Sequence, residues 1–188
     1  LKLSVKKSDD RSTVLQFEVK AADIQKQAVR IDGQDYNVLK FGREPNMMEA
    51  GSPALPRLSR AIIIPDGREV EVRVVSERHV DLPEVPVAPS KGNLTRDVDP
   101  AKVAYTFGAA YRQNAFFPAK LASVRETFVQ RDYRGAVVEV NAFQYNPVTR
   151  TLRVYESVEV EVVSRGPAAR PFRAPAAGRK LAADFDHL

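Results

Sequence analysis

Alternation with a period of two dominates the chain. Leu15, Phe17 and Val19 sit between polar neighbours, and Val29 and Ile31 run into Asp32-Gly33, with Tyr36 and Val38 beyond. Val70, Val72 and Val74 alternate with Glu71 and Arg73. Val138, Val140 and Ala142 lead toward Asn146-Pro147; Leu152 and Val154 follow, then Val158, Val160 and Val162 interleaved with Glu159 and Glu161. Successive strand residues face opposite ways, so this pattern buries one face and wets the other, as in antiparallel sheets. Asp-Gly between two such runs predicts a tight hairpin at 32–33. Ala61-Ile62-Ile63-Ile64 is a continuous apolar run between Pro56 and Pro65-Asp66-Gly67, and predicts a strand buried on both faces or central in its sheet. Many short strands with frequent turn signals predict an all-β fold, an antiparallel β-sandwich of jelly-roll-like type with little helix. Asp99 before Pro100 predicts a capped turn or two of helix and no more.

Two regions break the alternation. Residues 82–102 hold Pro83, Pro86, Pro89, Gly92 and Pro100, with cations at Lys91, Arg96 and Lys102. A long loop inside a compact domain is usually functional or disordered. Residues 164–180 are rich in Pro, Ala and Arg and lack apolar periodicity, which predicts an extended or disordered linker. The expected organisation is therefore one domain over 1–163 and a linker and tail over 164–188. Leu181, Phe185 and Leu188 in that tail suit a short docking turn.

The chain has 188 residues, 44% hydrophobic and 28% charged, enough for one domain with a real core. No apolar run reaches the ~18 residues of a membrane span. Leu1 opens no signal-peptide pattern, so the sequence reads as a mature or trimmed piece. The net charge of +5 is uneven: the tail from Ser164 holds five basic residues and two acids, leaving +2 for the rest. The body is nearly neutral and its strand charges alternate in sign, as in Arg68-Glu69-Val70-Glu71-Val72-Arg73. That argues against a nucleic-acid binder, which clusters cations on one face.

Catalytic chemistry is hard to find. Nucleophilic catalysis needs a nucleophile beside a base, and the chain has no cysteine and two histidines. His79 lies on a strand and reads as a surface or edge histidine, while His187 sits close to the C-terminus. Absence of cysteine also excludes disulfides and thiolate metal ligands, and leaves the compartment open. No glycine-rich phosphate loop is present. Asp97-Val98-Asp99 lacks the glycine and distal glutamate of a calcium loop and reads as solvation and capping. Glu159 and Glu161 read as the wet face of a strand. No cofactor and no metal is expected.

Two segments stand out. Gly51-Ser52-Pro53-Ala54-Leu55-Pro56 carries two prolines that fix φ and remove donors, so it is neither mid-helix nor central strand. Tyr145-Asn146-Pro147-Val148-Thr149-Arg150-Thr151-Leu152 reads as a strand, a tight turn and a return strand. The ordered set Gly51-x-Pro53-x-Leu55-Pro56, Tyr111 to Phe117-Pro118, Arg134-Gly135, Phe143-x-Tyr145-Asn146-Pro147 and Leu152-x-Val154-Tyr155 resembles the propeptide of the gingipain-like cysteine peptidases, family C25.

The resemblance implies a non-catalytic β-sandwich prodomain of a secreted, periplasmic or cell-surface bacterial enzyme. Such a domain covers the active-site cleft of its own cysteine peptidase, keeps it latent and assists its folding. It further implies that a basic residue on a prodomain loop enters the specificity pocket of enzymes that prefer Arg or Lys. Arg96 is the first candidate here, with Lys91 and Lys102 behind it. Maturation by cleavage is implied as well, with Arg165, Arg170, Arg173, Arg179 and Lys180 as candidate sites. The residues alone leave two other readings open. One is a carbohydrate-binding module using Tyr105, Tyr111, Phe116 and Phe117 as a platform, although these look more like packing. The other is a structural module of a cell-surface protein. The partner expected is the peptidase domain, with neither nucleic acid nor membrane, and an exposed edge strand is a possible dimer contact.

Overall fold

The computed structural model describes residues 1–9, 11–130 and 133–167. Among these residues ten strands follow one another: β1 (Lys2–Ser8), β2 (Ser12–Glu18), β3 (Ile24–Ile31), β4 (Gln34–Phe41), β5 (Leu58–Ile63), β6 (Arg68–Leu82), β7 (Ala122–Gln130), β8 (Tyr133–Val140), β9 (Phe143–Asn146) and β10 (Thr151–Pro167). Among the described residues the only helical pieces are 3₁₀ turns at Ala21–Asp23, Pro100–Lys102 and Ala109–Arg112. Asp99 caps the second of these, its carboxylate accepting the Ala101 amide at 2.9 Å.

All strand pairings are antiparallel. The larger sheet runs β1-β2-β10-β6, with β9 also on β10; the smaller runs β5-β8-β7, and β3-β4 form a ribbon. β10 organises the molecule. Its first half pairs with β9 and its second with β2, while β6 follows it along the other edge. The register sets Val158 opposite Phe17 and Val160 opposite Leu15. These side chains meet Val138 and Val140 of β8, Leu58 of β5, Leu39 and Phe41 of β4 and Phe143 of β9 in one core. Full burial of each such side chain is worth ~1.5–3 kcal/mol, so the interface between the layers dominates stability. Asp32 (φ 48°) and Gly33 (φ 80°) make the expected two-residue hairpin between β3 and β4.

Three expectations change. The Ala61–Ile64 run is not doubly buried. β5 is an edge strand bonded only to β8 within its sheet, and one of its faces is wet: Ile63 is 63% exposed, whereas Ile64, beyond the strand end, is 4% exposed. Ser164–Pro167 continue β10 past the expected boundary at 163, because β6 extends alongside and supplies partners: Ser164 opposite Val70, Arg165 opposite Glu69 and Pro167 opposite Arg68. The non-strand stretch also runs longer than 82–102, from Pro83 to Leu121.

Candidate functional site

The stretch between β6 and β7 rises from the sandwich as a loop with an incoming and an outgoing limb. The Gly51–Pro56 segment is the floor beneath both. The Gly51 amide donates to the Ser90 carbonyl at 2.9 Å, Ser90 returns a bond to Ser52 at 2.8 Å, and Ala54 bonds Ala88 at 3.0 Å. Pro53 faces Pro89 in an isolated bridge, a position where neither residue has an N–H to leave unpaired. The outgoing limb reaches the same floor, since the Gly108 amide donates to the Gly51 carbonyl at 2.8 Å. Gly51 adopts φ 79°, and a Cβ there would lie 3.0 Å from the Gly108 nitrogen. Two glycine backbones abut where any side chain would push them apart. Leu55 is fully buried, and Pro56 is buried beside it, so the floor is part of the core.

A second clasp holds the outgoing limb. Phe117 and Tyr145 exchange backbone bonds of 2.9 and 2.8 Å next to the cis Phe117–Pro118 peptide. The Gln144 amide donates to the Pro118 carbonyl, Asn141 to Lys120, and Asn146 to Asn114 Oδ1, each at 2.8 Å. Asn146 Oδ1 also accepts the amides of Val148 and Thr149, which shapes the turn over Pro147. Tyr111 donates its hydroxyl to the Val87 carbonyl at 2.8 Å and joins the two limbs above the core. Burial pushes the hydroxyl pKa values of Tyr111 and Tyr145 upward, so both stay neutral hydrogen-bond groups.

The tip carries the three predicted cations, in different states. The Lys91 ammonium donates to the Pro100 carbonyl at 2.7 Å and lies 4.2 Å from the centre of the Tyr105 ring. Arg96 is exposed and its guanidinium has no partner among the described residues. The Lys102 side chain is likewise exposed and unpartnered, but it sits in the 3₁₀ turn. Beside Arg96, hydrogen bonds from the Thr95 hydroxyl and its own amide hold the Asp97 carboxyl below the ordinary aspartate range. The Val98 amide closes a turn on the Thr95 carbonyl at 3.1 Å, which puts Arg96 at the apex.

The other candidates lie elsewhere. Arg165 is on β10, ion-paired with Glu71 at 2.6 Å. Arg170, Arg173, Arg179 and Lys180, like the proposed docking turn at Leu181, Phe185 and Leu188, fall outside the described residues. His79 stands on β6 at 2.8 Å from Glu77. No group of side chains suited to a metal occurs among the described residues, and no helix there is long and apolar enough to cross a membrane. The aromatic residues do not make an open platform. Tyr105 is covered by Lys91, Phe116 by the Arg153 guanidinium at 4.0 Å, and Tyr111 packs edge-on to Phe107 at 4.8 Å. The sequence reading missed Ser90, Gly108, Asn114 and Gln144, the groups that complete the clasps. Gln144, a polar residue between Phe143 and Tyr145 in a strand buried throughout, was the one legible signal.

Fold and site together define a β-sandwich that presents a cation on a doubly clasped loop. The chain belongs to the C25 propeptide family, whose model matches residues 2–176. Gingipain R1 of Porphyromonas gingivalis is 46% identical over 117 residues, covering 62% of this chain and 12% of that protein. Gingipain R2 of the same species is 40% identical over 122 residues, covering 65% and 17%. The chain thus corresponds to a small part of these relatives. Among solved structures, the complex of P. gingivalis RgpB pro- and mature domains matches with a TM-score of 0.81 at 31% identity, over 94% of this chain and 90% of that one. A structure on the zymogenic latency of gingipain K, also from P. gingivalis, shares the fold, with a TM-score of 0.73 at 23% identity over 88% of this chain and 93% of that one.

Proposed function

We propose that this domain holds a covalently linked, gingipain-like cysteine peptidase latent by offering Arg96 to its specificity pocket, and that it does so in the extracellular or surface space of a bacterium. The observation that carries this reading is the contrast at the loop. Both limbs are fastened to the core, while the guanidinium at the apex is exposed and has no partner among the described residues. A planar guanidinium suits an acidic pocket, where a carboxylate takes it in two parallel bonds. Linkage to the peptidase makes docking intramolecular, so a modest interface suffices. Maturation then removes the domain at a bond beyond β10. Arg165 is held in a strand and by Glu71, and Arg170 precedes a proline in the sequence, which leaves Arg173, Arg179 and Lys180 as the remaining basic candidates.

The test is inhibition of the separated peptidase by the parent domain, Arg96→Ala and Lys102→Ala. Loss of a desolvated charge contact costs ~2–5 kcal/mol, or roughly 30- to several-thousand-fold in the inhibition constant. That loss is expected for Arg96→Ala, against less than about threefold for Lys102→Ala, a rim charge. If Arg96→Ala inhibits like the parent, Arg96 is not the plug. A parent domain that fails to inhibit removes the latency reading altogether.

A further inference from the structure

An inhibitor that offers an arginine to an arginine-preferring peptidase must also avoid being cut there. The geometry points to Lys91 as the residue that prevents it. We infer that Lys91 is a latch, a positioning residue that closes the loop at Pro100 and keeps the Arg96–Asp97 bond intact while Arg96 is presented. This rests on the reading of Arg96 given above.

Lys91 and Pro100 stand on opposite sides of Arg96, and the 2.7 Å bond from ammonium to carbonyl sets the distance between the two limbs. The same ammonium lies over Tyr105, 4.2 Å from the ring centre, so one charge ties together three points of the loop. Gly92 turns the chain over this contact at φ 86°, with its amide on Ser90 Oγ at 3.1 Å. No other hydrogen bond among the described residues joins the limbs above Ser90 and Gly108. The remaining bonds at the tip are local, such as Val98 to Thr95 and Ala101 to Asp99. Hydrolysis of the Arg96–Asp97 amide by water in a peptidase cleft requires the segment to lie extended through that cleft. A loop pinned at 91 and 100 resists that, and cleavage then follows the population of the unlatched form.

The experiment uses the full chain as parent, Lys91→Met, Lys91→Arg and Tyr105→Leu. Methionine keeps the aliphatic stem and loses the charge and the donor. Arginine keeps both. Trypsin is the first probe, read by the mass of the fragment ending at Arg96. Lys91→Met is expected to be cut there about tenfold faster than the parent, Tyr105→Leu by a smaller factor, and Lys91→Arg at close to the parent rate. An unchanged rate in Lys91→Met overturns the latch. With the separated peptidase, Lys91→Met is expected to inhibit at first and to lose inhibition with time as the same fragment accumulates. If it instead loses initial inhibition as completely as Arg96→Ala, without scission, Lys91 is itself the plug and the latch is wrong. The trypsin rate does not depend on which cation enters the pocket. Failure of the Arg96 reading therefore shows in Arg96→Ala inhibition, and failure of the latch shows in the trypsin rate.

Discussion

The base and the tip of the β6–β7 loop are built from different materials. At the base the fastening is backbone to backbone, through Gly51, Ser52, Ala88, Ser90 and Gly108, on a floor buried with the core. At the tip, among the described residues, it is a single ammonium on a single carbonyl, with an arginine between that has no partner there. Backbone fastening fixes where the loop stands and is costly to alter, because a changed residue must still satisfy buried N–H and C=O groups. Side-chain fastening is cheap to alter and decides what is shown to a partner. On the proposed reading, the domain thereby separates the part that must fold from the part that must recognise.

The widest gap between the two regions should appear with Arg96→Ala. Thermal unfolding should stay within about 1 °C of the parent, since an exposed side chain with no partner contributes little to stability, while inhibition falls by the large factor given above. A marked drop in the melting temperature would mean that the tip is part of the structural framework. Gly51→Ala should act the other way. It forces an alanine to φ 79° and sets its Cβ 3.0 Å from the Gly108 nitrogen. Strain of this kind costs ~1–3 kcal/mol, and calorimetry and urea unfolding should both register it. Inhibition should fall as well, by a smaller factor than for Arg96→Ala, because the whole loop is displaced and its apex stays intact. Unchanged stability would show that the glycine pair tolerates separation. Asn146→Ala comes next. It removes one bond to Asn114 and two accepted from Val148 and Thr149, for ~1–2 kcal/mol by urea unfolding. Its effect on inhibition should be slight if the incoming limb alone positions Arg96.

How much of this was legible follows the same division. Strand alternation placed β2, the β3-β4 hairpin, β6 and β10, because burial on one face leaves a period in the sequence. The resemblance flagged Gly51–Pro56 and Tyr145–Pro147, and composition flagged the cations. The physical task of those motifs was not legible. A glycine followed by Pro-x-Leu-Pro shows that the backbone is special, yet that it underlies Ser90 and Gly108 is a long-range pairing with no local signature. Ala61–Ile64 misled for a related reason. Apolar continuity signals burial on both faces only when a packed layer covers each, and the face of β5 that carries Ala61 and Ile63 is exposed. Lys91 and Arg96 look alike in sequence and differ only through Pro100 and Tyr105, nine and fourteen positions beyond Lys91.

The smallest expected effect lies at the root of the loop, where a side-chain clasp supplements the strand pairing of β6 with β10. Arg153 holds Asp81 through two bonds of 2.8 Å, and its guanidinium also covers Phe116 on the outgoing limb. The hydrogen bonds from Arg153 lower the Asp81 carboxyl pKa from its ordinary 3.8. A carboxylate depressed in the folded state gives stability that is complete above its unfolded value and lost as pH falls through the folded one. The contribution from this pair should therefore be constant down to about pH 4 and fade below it. Both side chains are partly exposed, at 40% for Asp81 and 24% for Arg153, so the amount is ~0.5–1 kcal/mol after screening. Urea midpoints of the parent and Asp81→Asn, measured from pH 7 to pH 3, provide the check. The two curves should run parallel above pH 4 and converge below it as the parent loses the clasp. Parallel curves down to pH 3 would show that Asp81 contributes nothing through its charge, and that the strand pairing of β6 with β10 holds the root without it.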